Sequence, residues 1–220
     1  MKDVLNKKAE THPGPTAGRS EAEEKEMIAL GILSEEGSLL VPPPPDPSHE
    51  IVPRSAIRAA AVLNEAYDYP RPSSFSRGLK IELGDYVLLL ISGTASVDED
   101  GETIHGGDFR AQCWRTYRNI TELLKAEGAS WHDVIRTTCY LRDIERDYQD
   151  FNEIRTAFFI WLKLEPLPAS TGIQARLCRE DLLVEIVVVD DNSPDGTADI
   201  VRALRLRDAV SMQCHVRTEE

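Results

Sequence analysis

The sequence has few cysteines and no long apolar run, and both absences exclude classes of protein. Its 220 residues contain four cysteines, none in a CxxC pair, so neither a disulfide framework nor a zinc site is indicated. The longest apolar run, residues 86–91, is far shorter than the roughly 20 residues that a membrane span requires. Residues 1–10 mix lysine with acidic side chains and lack the apolar stretch of a secretory signal. These features predict a cytoplasmic protein with reduced thiols and no membrane association.

Clusters of basic side chains are also missing. The net charge is −13, and residues 73–190 alone carry 13 basic and 20 acidic side chains. A chain of this charge repels phosphate backbones, and no Lys/Arg cluster with interleaved aromatics offers a local exception. The five histidines form no HxH or HxxxH spacing. We therefore expect no nucleic-acid partner, no metal site and no cofactor.

Proline divides the chain, because ten of its 13 prolines precede residue 73. The run 42–45 predicts a stiff polyproline II spacer. Two short helices are predicted before residue 73, one over 20–33 with a Ser-x-x-Glu capping pattern and one over the alanine-rich segment 55–67. Residues 1–72 are interpreted as a Pro-rich, partly helical extension. Whether it is a loosely packed appendage, a lid or an oligomer contact stays open.

Residues 73–190 alternate between strand and helix patterns and form the predicted folded domain. Apolar and β-branched runs predict strands at 78–83, 86–92, 134–141, 171–177 and 182–189. One helix is predicted between Asp108 and Gly128, and a second between Tyr148 and Pro166. The order ββαβαββ predicts an α+β domain.

This order, together with several short strings, resembles the RidA/YjgF family of small trimeric proteins. The resemblance implies a RidA/chorismate-mutase-like ββαβαββ fold, with two helices on one face of a mixed sheet, and a homotrimer with clefts between subunits. The strings are Phe75-Ser76-Arg77-Gly78, Ile91-Ser92-Gly93-Thr94, Pro168-Ala169-Ser170-Thr171 and Leu183-Val184-Glu185-Ile186.

Two departures separate the chain from the enamine/imine deaminases of this family. Those enzymes read Pro-Ala-Arg-Ser, and their arginine binds the substrate carboxylate, whereas this chain has Ala169 at that position. They also place tyrosine where Phe75 stands. The string Ser92-Gly93-Thr94-Ala95-Ser96, the string His105-Gly106-Gly107-Asp108 and the pair Cys178-Arg179 resemble instead the catalytic half of chorismatases, which hydrolyse the enolpyruvyl ether of chorismate.

The resemblance implies a small-molecule hydrolase or lyase that acts on a carboxylated enol ether, enamine or imine at a subunit-interface cleft. Such an enzyme is deaminase-like or chorismatase-like in its chemistry. The alternative is a ligand-binding or regulatory member of the family that has kept the fold and lost catalysis. Ala169 and Phe75 are the residues that favour this alternative.

Glu185 is the predicted catalytic residue, because it interrupts an otherwise apolar strand where a bare carboxylate is costly to bury. A desolvated glutamate can protonate an enol or enamine carbon, or orient the attacking water. A position at a sheet edge or in a buried salt bridge is the alternative. Arg179 is the predicted anchor for the substrate carboxylate, with solvent exposure or pairing with its acidic neighbours as the alternative. The predicted substrate-binding residues are Phe75, Ser92, Thr94, His105, Ser170, Thr171, Arg176 and Cys178.

A second resemblance lies at the end of the domain. Residues 187–197 are similar to the nucleotide-sugar loop of dolichyl-phosphate mannosyltransferase-type glycosyltransferases. Too few residues follow to form the remainder of such a domain, and the preceding strand already closes the predicted sheet. Residues 191–220 are therefore interpreted as a C-terminal tail with a short helix over 198–206.

Overall fold

The computed structural model describes residues 19–44, 52–70 and 72–190. The described residues fall into two compact units, which divide after residue 51. The predicted tail helix over 198–206, and the part of the glycosyltransferase-like string beyond residue 190, lie outside the described residues. Within those residues, no helix combines the length and the apolar character that crossing a membrane requires.

The first unit contains helix α1, Glu21–Ala29, which begins where the capping pattern predicts. The Ser20 hydroxyl accepts a hydrogen bond from the Glu23 backbone N–H at 3.2 Å and so satisfies a free N–H of the first turn. The helix is shorter than the predicted span to residue 33. It ends at Ala29 because Gly31, with φ of 70°, takes the left-handed conformation that terminates helices.

The second unit contains a six-stranded sheet and two long helices. From β2 onward the order is ββαβαββ, so the predicted α+β fold is confirmed. A strand β1 precedes this order, and single turns of 3₁₀ helix cover Ala66–Asp68 and Trp131–Asp133. The elements are β1 (Arg54–Ala56), β2 (Gly78–Leu83), β3 (Tyr86–Ala95), α2 (Phe109–Ala126), β4 (Val134–Leu141), α3 (Ile144–Leu162), β5 (Ala169–Gln174) and β6 (Val184–Asp190).

The sheet is mixed, with the strand order β1-β2-β3-β6-β4-β5. Among the strands of the described residues, only β4 and β5 pair in parallel, as expected for two strands connected through the crossover helix α3. The pairs β1–β2, β2–β3, β3–β6 and β4–β6 are antiparallel. The last strand therefore inserts between β3 and β4, in the middle of the sheet.

Both long helices pack on one face of this sheet. Along β6, Val184, Ile186 and Val188 are fully buried in the core that contains residues of α2 and α3, while the residues between them are partly exposed. This alternation is expected when one face of a sheet is covered by helices. The opposite side, which we name the open face, carries partly exposed apolar residues: Leu88, Leu90, Tyr140, Val187 and Val189.

Helix α2 holds together the two strands that carry the candidate site. The Gln112 side chain donates to the carbonyl of Asp181 at 2.8 Å and accepts from the backbone N–H of Leu183 at 2.9 Å, just before β6 begins. The Asn119 side chain donates to the carbonyls of Ala95 and Val97, both at 3.0 Å, at the end of β3. Because both amides are fully buried, these bonds position β3 and β6 with little competition from water.

The helix predicted over residues 55–67 is wrong. Its beginning forms β1, which pairs with β2 through the register Ser55–Lys80. The following stretch is irregular, and its apolar side chains are buried in the core, among them Ile57, Val62 and Leu63. Alanine-rich composition favours a helix only weakly, and burial of these side chains against the sheet overrides that preference. The sheet consequently includes a strand that precedes residue 73.

We predict that Ile57→Ala lowers the free energy of unfolding by about 2–4 kcal/mol, because it removes a fully buried side chain and leaves a cavity. Val52→Ala is the control, since Val52 is 49% exposed and its truncation should change stability by about 0.5 kcal/mol or less. Urea unfolding of both variants measures the difference. Equal stability of the two variants would show that the segment before residue 73 does not pack on the sheet.

Candidate active-site cleft

A cleft of about 760 Å³ opens beside Glu185, at the beginning of β6. Its walls come from β3, β4 and β6, from the segment before β2, and from the segment that follows β5. Glu185 lies directly opposite Ala95 of β3 and Tyr140 of β4 in the strand register. All three of these residues line the cleft.

The Glu185 side chain is half-buried, and none of the side-chain hydrogen bonds formed within residues 52–70 and 72–190 involves its carboxyl group. Burial raises the pKa of Glu185 above its ordinary value, and the nearby charge of Arg77 partly opposes this increase. A carboxyl group in this state keeps its proton to a higher pH than an exposed glutamate does. It can therefore donate a proton to a ligand in the cleft.

A β-bulge in β3 makes room for the Glu185 carboxyl group. Ile91 pairs with Val188 and Thr94 pairs with Ile186, so β3 has one residue more than β6 between these pairs. Gly93 lies in this bulge, where an added Cβ would be 2.1 Å from Oε1 of Glu185. Glycine at this position leaves room for the carboxyl group, because any side chain would force the end of Glu185 to move.

Arg77 is the most deeply buried cation of the cleft, with 6% of its surface exposed. Its Nε donates to the carbonyl of Asn64 at 3.3 Å, and its Nη2 donates to the hydroxyl of Tyr69. The guanidinium lies over the Tyr69 and Phe75 rings, 4.9 Å and 5.3 Å from their centroids. Burial lowers the pKa of Arg77, while the charge of Glu65 opposes that decrease.

The cleft brings together six of the ten predicted site residues: Phe75, Ser92, Arg176, Cys178, Arg179 and Glu185. The Arg179 guanidinium donates from Nη1 to the carbonyl of Gly101, which fixes its position at the rim. The Ser92 hydroxyl donates to the carbonyl of Ser76 at 2.7 Å. Cys178 and Arg176 are exposed at the mouth of the cleft.

Four predicted site residues lie elsewhere. Thr94 is buried beneath the cleft and donates to the carbonyl of Ser92 at 3.0 Å. His105 is exposed in the loop before α2. Ser170 and Thr171 belong to the edge strand β5, where they accept hydrogen bonds from Arg155 at 3.0 Å and Arg136 at 3.3 Å.

Among the cleft residues that sequence reasoning missed are the cation Arg77 and its partner Tyr69. Arg77 belongs to the string Phe75-Ser76-Arg77-Gly78, which carries part of the family resemblance. A cation in that string was the one sequence feature that could have marked it as a site residue. Nothing in the sequence marks Tyr69, which reaches the cleft because the irregular segment 57–70 packs beside β2. The Tyr69 ring lies against Gly101, where an added Cβ would be 2.2 Å from Cε2.

The charge of the cleft is opposite to that of the whole chain. Arg77, Arg176 and Arg179 line it together with a single acidic residue, Glu185, although the net charge of the protein is −13. Such a cleft attracts a small anion. A protonated Glu185 would then be an acid within reach of an anion bound in the cleft. Within the described residues, no group of three or more His, Cys, Asp or Glu side chains is arranged to hold a metal ion.

The strand order, the two helices on one face and the cleft beside β6 together define an α+β protein with a small-molecule cleft. Residues 72–190 match the family model described as Endoribonuclease L-PSP. The chain therefore belongs to this family, which is the RidA/YjgF family that its sequence resembles.

Relatives cover about half of the chain and most of their own length. A RutC family protein of Pyrococcus abyssi is 28% identical over 121 residues, 54% of this chain and 88% of its own. The 3-aminoacrylate deaminase RutC of Acinetobacter baylyi is 31% identical over 102 residues, 46% of this chain and 77% of its own. A Lactococcus lactis relative, named as a proposed regulator, AldR, is 30% identical over the same shares of the two chains.

Solved structures show the same fold. The YjgF gene product of E. coli superposes with a TM-score of 0.50 at 22% identity, over 63% of this chain and 98% of its own. A protein of unknown function from Pseudomonas aeruginosa superposes with a TM-score of 0.51 at 26% identity, over 64% of this chain and 94% of its own.

We predict that Gly93→Ala moves the Glu185 carboxyl group by at least about 1 Å while the protein stays folded. The displacement follows because the new methyl group would overlap Oε1, and the end of a flexible side chain yields more easily than a strand. Crystal structures of the variant and of wild type measure it. Gly106→Ala is the matched control, since an added Cβ there meets nothing within 4 Å. An unmoved carboxyl group in Gly93→Ala would contradict the crowding described above.

Proposed function

We propose that the protein hydrolyses a small carboxylated enamine, imine or enol ether in the Glu185 cleft. The observation that carries this proposal is a half-buried carboxyl group of raised pKa in a cleft that it shares with three arginines. The arginines suit an anionic substrate, with Arg179 as the predicted carboxylate anchor. Glu185 suits acid catalysis at a carbon or nitrogen atom beside that carboxylate.

The chemistry begins with proton donation from Glu185 to the double-bond carbon that does not bear the nitrogen or the ether oxygen. The resulting iminium or oxocarbenium carbon accepts water, which loses a proton to form a neutral carbinolamine or hemiketal. Collapse of this adduct forms the C=O bond of a 2-oxo or 3-oxo acid and releases ammonia or an alcohol. An imine substrate enters the same sequence at its protonated nitrogen. The ionised Glu185 regains its proton from the attacking water.

Two similarities support this class of substrate. One relative carries the name 3-aminoacrylate deaminase, which is an activity on a carboxylated enamine. The strings of the chain that resemble chorismatases favour an enol ether instead, and Cys178 and Arg179 from those strings line the cleft. Both reactions need an acid near a carboxylate anchor.

The second candidate function is ligand binding without catalysis. Phe75 lines the cleft without the hydroxyl group of the usual family tyrosine, and Ala169 lacks the usual guanidinium. The relative named as a proposed regulator shows that this family includes proteins not named as enzymes. Ligand binding without release of ammonia or pyruvate would favour this second function.

RNA cleavage, to which the family description points, is not part of our proposal. Residues 73–190 carry a net charge of −7, and such a surface repels a phosphate backbone. The three arginines line one cleft together with Glu185 and are better suited to a single small anion than to a polymer.

We extend the proposal to a homotrimer whose subunits meet on the open face of the sheet. Apolar side chains there, among them Leu88, Leu90 and Val187, are left partly exposed by the chain itself. Contiguous exposed apolar surface is typical of a protein interface. A subunit docked on this face would border the cleft, since Tyr140 and Glu185 belong to the same side of the sheet.

The first prediction of this proposal is that Glu185→Gln lowers kcat about 100-fold or more with an accepted substrate, because the amide cannot donate an acidic proton. Release of ammonia from 2-aminoacrylate-type imines and of pyruvate from chorismate measures turnover. Glu180→Gln is the matched control, an exposed neighbour that does not line the cleft. Unchanged turnover in Glu185→Gln would disprove the mechanism.

The pH profile gives a second readout of the same role. Since Glu185 acts in its protonated form, kcat should fall as the pH rises through its pKa, and burial places this fall above the pH range of an exposed glutamate. Any activity that remains in Glu185→Gln should lack this fall. A kcat that increases with pH in wild type would assign the carboxylate form to catalysis and contradict the acid role.

The proposed assembly is tested separately. We predict that the wild-type protein has the mass of a trimer by size-exclusion chromatography with light scattering, and that Val187→Lys reduces it to a monomer, because lysine on the open face would bury a charge in the contact. Glu82→Lys is a suitable control for the added charge, since Glu82 is exposed on β2. A monomeric wild type, or a trimeric Val187→Lys, would disprove this contact.

A further inference from the structure

The donors of the Arg77 guanidinium are only partly used by the protein. Nε and Nη2 donate to Asn64 and Tyr69, whereas within the described residues no hydrogen bond from Nη1 is formed. Because Arg77 lines the cleft, its remaining N–H groups are available to a ligand there. Its stem and ring contacts hold it in one orientation, so little side-chain entropy is lost on binding.

Among the residues that the structure describes, the Arg77 guanidinium is not held in a salt bridge, although the charge of the buried Glu65 acts on it. Its nearest acidic neighbour, Glu65, is 5% exposed and accepts from the backbone N–H of Arg77 at 3.3 Å. The guanidinium itself forms no salt bridge with a carboxylate within the described part of the chain. Glu65 thus supports the chain at Arg77 without covering the donors of its side chain.

The other two cations of the cleft are less suited to bind an anion. Arg176 is exposed, so water competes for its donors and weakens any ion pair. Arg179 is only partly buried, whereas Arg77 is 6% exposed, so water weakens an ion pair at Arg179 more than one at Arg77. The Arg77 guanidinium is buried beside two aromatic rings. A carboxylate bound to it would therefore interact at a lower effective dielectric constant than one bound to Arg176 or Arg179.

We propose that Arg77 binds the carboxylate of the substrate in the Glu185 cleft, and that Asn64 and Tyr69 orient it for this role. This inference rests on the proposed function and assigns the anchor to a residue other than Arg179. Arg77 also interacts electrostatically with Glu185, so the anchor and the acid act on one small molecule. Such proximity is what a 2-imino acid requires, because its reacting carbon is bonded directly to its carboxylate.

The residues that orient Arg77 come from outside the family match. Asn64 and Tyr69 precede residue 72, where the match begins. Arg77, oriented by these two residues, would supply the cation that is absent at Ala169. Arg77 would bind the carboxylate that lies next to the reacting carbon, in a part of the cleft that the Tyr69 and Phe75 rings also line.

Pyruvate, a product of the proposed reaction, is the probe that tests this anchor, and methyl pyruvate is its uncharged counterpart. We expect Arg77→Met to weaken pyruvate binding about 10- to 100-fold in an NMR titration, because a charge-assisted pair of hydrogen bonds is lost. Arg179→Met should weaken it about threefold or less. Arg118→Met, an exposed position on α2 that does not line the cleft, controls for the loss of one positive charge.

Arg77→Lys serves if Arg77→Met does not fold, which thermal unfolding would reveal. Lysine keeps the charge but not the fork, so we expect an intermediate loss of affinity, about fivefold. Wild-type affinity for pyruvate in either folded variant overturns the inference. So does equal affinity of wild type for pyruvate and methyl pyruvate, or no binding of pyruvate by wild type.

The two proposals fail in different ways. If Arg77→Met loses pyruvate binding while Glu185→Gln keeps full turnover, the role of Arg77 is supported and the hydrolytic mechanism is disproved. If turnover depends on Glu185 while Arg77→Met keeps both the pyruvate affinity and the KM of wild type, the mechanism stands and this anchor falls.

Discussion

The close approach of the Glu185 carboxyl group to the backbone of β3 is the contact on which the cleft depends. It exists because β3 bulges beside β6 and has no side chain at Gly93. The carboxyl group is thereby drawn partly out of water, and its pKa is raised by that burial. A regular strand with a side chain at this position would return the glutamate to solvent and leave it an ordinary surface acid.

This local arrangement needs a rigid support, which helix α2 supplies. The buried amides of Gln112 and Asn119 bind backbone groups at the beginning of β6 and at the end of β3. These are the two strands whose separation defines the space around Glu185. The same hydrogen bonds therefore fix the position of α2 and the geometry of the site. Loss of packing at α2 would shift β3 and β6 and so change the shape of the cleft.

Sequence patterns predicted most of the sheet, since strand β4 and the neighbouring strands β2 and β3 follow residue patterns that act locally. They also single out Glu185, whose charge stands out within an apolar strand and which lines the cleft. The segment 55–67 was misjudged because its conformation is decided by burial of residues such as Ile57, which no local pattern reports. Arg77 and Tyr69 were missed for a related reason: their meeting depends on how this irregular segment packs beside β2.

The position of Tyr69 has a consequence for how such proteins diversify. Its ring forms part of the wall of the cleft, yet it belongs to an irregular segment that precedes the residues matched by the family model. The sheet supplies the acid, and a neighbouring stretch of chain supplies the shape and charge that surround it. Sequence changes in this segment can therefore alter which ligands the cleft accepts, while the strands of the sheet stay unchanged.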